Sequence, residues 1–149
     1  IERFVEIAKE YDIPMDHIHL EITESEFTDK EAVDRTLQRF SEKGVKVALD
    51  DFGTGFSTIA NILELPVDYV KIDKSLVWSY ATGKNQFLND MMPMIKAEGK
   101  KIIAEGIESE EQMDIIRKLN GDYLQGYYFS KPLKESEFVR YIKKYNGFR

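Results

Sequence analysis

The feature that most constrains this chain is an alternation of five short apolar strand patterns with helical ones. The strand patterns are HIHLEIT (17–23), VKVALD (45–50), DYVKID (68–73), KIIAEG (101–106) and DYLQGY (122–127). Phe4, Ile7, Ala8 and Tyr11 recur at helical spacing before the first, as do Ala32, Val33, Thr36, Leu37 and Phe40 after it. Thr28 or Asp29 is placed to cap that second helix and Gly44 to stop it. Further helices are expected over 57–63, and over about 84–98 with a kink or restart at Pro93. Another opens at Ser109, where Gln112 completes a capping box, and a last one runs from Pro132 to about Tyr145. Such alternation predicts an α/β fold with a parallel sheet, either doubly wound or a barrel. In both, functional groups gather at the carboxyl ends of the strands.

Side-chain parity separates the two architectures. Alternate strand residues face opposite ways. Ile18, Leu20 and Ile22 share a face, as do Val45, Val47 and Leu49, Val70 and Ile72, and Ile102 and Ala104. The opposite face then receives Glu21, Asp50, Lys71, Glu105 and Gln125, each late on its strand. A doubly wound sheet has helices on both faces and little room for so many charges. A barrel places the aliphatic face against its helices and the polar tips in its lumen.

Carboxylates gathered at one mouth repel one another and stay ionised together only beside a compensating cation. The chain has no cysteine and only two histidines, His17 and His19, which read as structural residues at a strand entry. The ligands are therefore oxygens, which suit Mg²⁺, Mn²⁺ or Ca²⁺. Asp50 and Asp51 can bridge two ions if the strand bends at its end, and two ions form a clamp for phosphodiester hydrolysis. Taken alone, Asp-Asp-Phe-Gly is more often an acidic turn and helix cap than a metal site, and Glu24 and Asp73 can be ordinary helix caps. The aromatic tail QGYYFSKP reads as packing.

The length of 149 residues fits one domain, and 42% hydrophobic content suffices for a core. A net charge of −6 argues against a DNA or RNA polymer as partner. No apolar run reaches membrane-spanning length, so no membrane contact is expected of the chain, and the absence of cysteine fits the cytoplasm. The opening IERFVEIAKEY reads as the middle of a helix without an initiator Met, as in a piece of a longer protein.

LEITES (20–25), ALDDFGTGFS (48–57), LELPVDYVKID (63–73), IAEGIES (103–109) and QGYYFSKP (125–132) together resemble the C-terminal part of an EAL domain, the cyclic di-GMP phosphodiesterase family. The resemblance implies the last five strands of a TIM-type (β/α)8 barrel, with residues 1–149 forming part of one domain whose first strands lie upstream. It implies hydrolysis of cyclic di-GMP to pGpG with Mg²⁺ or Mn²⁺ at a two-metal site. Glu21, Asp50, Asp51 and Glu105 match metal ligands, Glu105 and Lys71 match catalytic positions, and Lys71 is the lysine that contacts the attacking water. Gln125 and Glu108 match residues beside the water and the substrate, Asp73 belongs to the same surround, and Glu24 matches the glutamate that holds the loop 51–57. That loop couples a homodimer to metal binding in the family. Phe56 and Thr58 stand where tyrosine and serine are usual. The Glu-Ala-Leu signature, a substrate arginine and an asparagine ligand would all lie upstream. The chain alone is therefore expected to be inactive and to self-associate through exposed strand edges. The alternative is an inactive EAL-type receptor or interaction module.

Overall fold

A computed structural model of the chain describes residues 1–23, 30–54 and 59–146. Helix α1 (Glu2–Glu10) leads through a single 3-10 turn (Met15–His17) into β1 (His19–Thr23). There follow α2 (Lys30–Ser41), β2 (Lys46–Phe52), α3 (Ile59–Glu64), β3 (Tyr69–Ile72), α4 (Lys74–Ala81), α5 (Phe87–Ala97), β4 (Lys101–Ala104), α6 (Glu110–Lys118), β5 (Tyr123–Leu124) and α7 (Glu135–Asn146). Local chemistry sets several of these ends. Gly44 takes φ +88° after α2, a left-handed turn that costs glycine little. Asp73 caps α4 by accepting a hydrogen bond from the Ser75 amide at 2.8 Å. Ser109 and Gln112 close the expected capping box on α6.

The strands form one parallel sheet in the order β1-β2-β3-β4-β5. When every parallel strand lies beside its sequence neighbour, right-handed crossovers put all the helices on one face. The core has that shape. Val47, Leu49, Val70, Ile72, Ile102 and Ala104 on one side of the sheet pack with Leu37, Val77, Leu88, Met91, Met92, Ile95 and Ile116 from the helices. The other side carries His19, Glu21, Asp50, Tyr69, Lys71, Glu105 and Tyr123. This is an arc of a barrel, as the parity of the strands predicts, and the doubly wound alternative is set aside.

Three local expectations change. Helix α5 starts at Phe87, later than expected, and runs through Pro93 without a restart. Leu88, Met91, Met92 and Ile95 are completely buried on its inner face, and that packing offsets the hydrogen bond lost at proline. Helix α4 stands where no separate helix was expected. The last strand shrinks to Tyr123–Leu124, although the Gln125 amide still donates to the Ala104 carbonyl at 2.9 Å. The proposed caps Thr28 and Asp29 lie outside the described residues.

The amino ends of β3 and β5 are pinned in the same way. Asp68 accepts from the Val47 amide at 2.9 Å and from Lys46 Nζ at 2.8 Å. Asp122 accepts from the Ile102 amide and from Lys96 Nζ, both at 2.8 Å. Each aspartate thus fixes its strand against another part of the barrel wall. On the lumen side above them, His19 stacks on Tyr69 at 4.9 Å between ring centroids.

Candidate metal centre and substrate cleft

Lys71 is the centre of the carboxyl edge. It comes from β3, and its side chain is only 6% exposed. Its Nζ lies 2.7 Å from Asp50 Oδ1 of β2, 3.0 Å from Glu105 Oε1 just past β4, and 3.0 Å from Glu21 Oε1 of β1. Four adjacent staves thus deliver one cation and three carboxylates to one point. Burial alone would lower the Lys71 pKa, but Asp50, Glu21 and Glu105 outweigh it and push it well above the ordinary lysine range.

Asp51 joins the group through an irregularity in β2. The β2–β3 pairing shifts register between Leu49 and Phe52. In a regular strand, Asp51 and Asp50 would face opposite ways and Phe52 would point to the lumen. Here Phe52 is buried in the core at 2% exposure, and Asp51 takes φ +54°, in the left-handed region. Asp and Asn tolerate that conformation better than most side chains. The bulge re-aims the second acid, the role such irregularities play beside functional sites. Thr54 Oγ1 donates to the Asp51 carbonyl at 3.1 Å and braces the turn.

The outcome is a triplet. One carboxylate oxygen each from Asp50, Asp51 and Glu105 lie within 4.8 Å of one another. Glu21 falls outside this triplet and reaches it only through Lys71. Burial pushes the Glu105 carboxyl above its ordinary range. Lys71 pulls it back, and the charges of Asp50 and Asp51 push it up again. Asp50 Oδ1 is buried and touches the Lys71 ammonium as a charge contact, yet accepts no hydrogen bond of regular geometry. An excess of carboxylates over cations fits a hard divalent cation, which binds oxygen and carries the missing positive charge.

A cleft of about 700 Å³ opens beside the triplet. Asp51, Glu105 and the expected residues Asp73, Glu108 and Gln125 line it. Asp73 also serves α4 as its cap. Glu24, Phe56 and Thr58 lie outside the described residues. Gly126 allows the approach of two backbones, since a β-carbon there would collide with the main chain of Ile107. The Ile107 amide donates to the Gln125 carbonyl at 3.1 Å across this crossing. Tyr127, Lys131, Phe138 and Tyr141 also line the cleft. Sequence reasoning missed these. Tyr127, Tyr128 and Phe129 are 61%, 42% and 38% exposed, so the tail is no part of the buried core, although Tyr128 and Phe129 pack edge to face on each other. The available signal was Lys131 beside a run of aromatics, a composition that core segments avoid.

Residues 1–132 match the sequence profile of the EAL domain. The chain belongs to the EAL domain family. This EAL chain is 34% identical over 140 residues to the probable cyclic di-GMP phosphodiesterase PdeB of Escherichia coli K12, covering 94% of the chain and 27% of PdeB. It superposes on the EAL domain of Mycobacterium smegmatis DcpA with a TM-score of 0.87 at 35% identity, covering 96% of the chain and 66% of DcpA's. It also resembles the Bacillus subtilis YkuI protein, solved in complex with substrate cyclic di-GMP and calcium, with a TM-score of 0.73 at 29% identity over 97% of the chain and 39% of YkuI. The chain thus spans about a quarter of PdeB and two thirds of the DcpA domain. Among the described residues, no helix is long and apolar enough to cross a membrane.

Proposed function

We propose that this EAL chain is part of a metal-dependent phosphodiesterase that hydrolyses cyclic di-GMP to linear pGpG. One observation carries the reading: Lys71 and the carboxylates of Glu21, Asp50, Asp51 and Glu105 converge from adjacent strands beside an open cleft. The names of PdeB and YkuI supply the substrate class. In this reading the 149 residues are the C-terminal strands of one barrel. The upstream strands add the remaining ligands, and the chain by itself turns over little substrate. Its setting is the cytoplasm, in keeping with a chain without cysteine.

Asp50, Asp51 and Glu105, with Glu21 beside them, would hold Mg²⁺ or Mn²⁺. Such ions supply an activated water and neutralise charge on the phosphate. The residues do the rest. Lys71 stands among three carboxylates as the nearest cation, and in this reading it would give up one of these contacts to donate to the attacking oxygen. Asp73, Glu108 and Gln125 line the cleft, and in this reading the Gln125 side chain would orient the same oxygen while Glu108 and Asp73 would border the dinucleotide. Glu24 takes the part of holding the loop 51–57.

The test combines calorimetry on the chain with a turnover assay on the full-length protein. The chain binds Mn²⁺, Asp50→Asn weakens that binding, and the full-length protein releases pGpG in Mg²⁺ or Mn²⁺. An Asp50→Asn variant that binds Mn²⁺ as wild type does would remove the ligand assignment. Cyclic di-GMP binding without pGpG release would make the protein a receptor.

A further inference from the structure

The junction of β3 and α4 lies between the two turns that present Asp51 and Glu105. The Asp73 amide donates to the Phe52 carbonyl, and the Glu105 amide donates to the Ile72 carbonyl, both at 3.0 Å. Each turn then bends at a glycine of positive φ, Gly53 at +107° and Gly106 at +63°. Helix α4 packs on both glycines. A β-carbon at Gly53 would collide with the Leu76 side chain, and one at Gly106 with the Lys74 side chain. Trp78, one turn beyond Lys74 on α4, donates from its indole Nε1 to the Gly106 carbonyl at 3.4 Å.

Glycine turns change their backbone angles at little steric cost, so whatever packs beside them must hold the acids still. A working site needs its groups held to within about 0.5 Å by neighbours that are themselves locked by packing and hydrogen bonds. Helix α4 offers such neighbours. Trp78 is 45% exposed, so burial alone gives a poor reason for an indole there, and its hydrogen bond fixes the ring over the Glu105 turn. We propose that α4 is a brace for both ligand turns: Leu76 sets the Asp51 turn through Gly53, and Trp78 sets the Glu105 turn through the Gly106 carbonyl. Both are positioning residues, because neither is among the residues that line the cleft. This rests on the reading of Asp51 and Glu105 as ligands of a divalent cation.

The test is calorimetric titration of the full chain with Mn²⁺. Trp78→Phe removes the indole donor and Leu76→Ala removes the contact on Gly53, and each weakens Mn²⁺ binding about tenfold. Leu76→Met fills the same space and restores wild-type affinity. Tyr80→Phe is the control on the same helix. The Tyr80 hydroxyl donates to Asn89 Oδ1 of α5 at 2.8 Å, so its loss loosens α4 without removing a contact to either glycine, and Mn²⁺ affinity stays at the wild-type value. The brace is overturned if either Trp78→Phe or Leu76→Ala binds Mn²⁺ as wild type does, if Leu76→Met binds no better than Leu76→Ala, or if Tyr80→Phe weakens binding as much as they do. A wild-type chain that binds no Mn²⁺ would instead overturn the metal-site reading on which the brace rests.

Discussion

Lys71 stands within 3.0 Å of three carboxylates in a place that water scarcely reaches, so its first duty is as a counter-ion. Removing one member of a buried charge cluster leaves the others uncompensated. Lys71→Met should therefore destabilise the chain in metal-free buffer by on the order of 3 kcal/mol, read from urea unfolding. Mn²⁺ should then stabilise the variant more than it stabilises the wild type, because the ion takes over the missing positive charge. An equal shift in both proteins would count against a shared role. Much of this cluster is legible in the sequence. Glu21, Asp50, Lys71 and Glu105 each interrupt an aliphatic alternation at the same end of a strand, and alternation has one geometric meaning. Asp51 is less legible, because its direction depends on a backbone irregularity that side-chain periodicity does not encode. The aromatic wall is harder still. Tyr127 and Phe138 lie on different elements, and only the turn after β5 brings them to one cleft.

At the scale of elements, strands were read well and helices less so. A strand here repeats every two residues and is bounded by polar tips. Helix α4 has a weakly amphipathic sequence, KSLVWSYA, with Val77 buried and Trp78 half exposed, so periodicity hardly marks it. Its start was nonetheless visible in Asp73 as a cap. The strand pins at Asp68 and Asp122 were not anticipated, although each precedes a tyrosine at a strand start, in DYVK and DYLQ. Burial by itself would raise the Asp122 carboxyl, but Lys96 and the Ile102 amide outweigh it and hold it below the usual carboxylate range. A carboxyl depressed in the folded state contributes stability above its unfolded pKa, and that contribution fades as pH falls through the folded value. Asp122→Ala should cost about 2 kcal/mol near neutral pH, since it also strands a backbone amide. Unfolding titrations from neutral pH into the acid range should show the wild type losing its advantage over the variant below about pH 4. A gap between the two that stays constant with pH would contradict the assignment.

At the scale of the molecule, the sheet is an arc with two ends. The outer sides of β1 and β5 border no other described strand, and parallel edges without a neighbour invite pairing. Apolar side chains stand exposed near both ends: Phe4 and Ile7 on α1 with Tyr11 just after it, and Phe138, Ile142 and Tyr145 on α7. A groove lined by Leu20, Ile22, Val33 and Leu37 runs along the β1 end. Sedimentation of the 149-residue chain should show association that grows with concentration, and a monodisperse monomer at high concentration would argue against it. The arc itself was legible, because five strands in sequence with one aliphatic face admit few arrangements. The sequential strand order has a practical side. Each βα unit brings its own polar tip, so the joints between units are places where a barrel can be divided into two polypeptides. Supplied with the remaining staves as a separate chain, this arc would act as one half of a split enzyme. Recovered pGpG release would then report that the two halves had met along both seams.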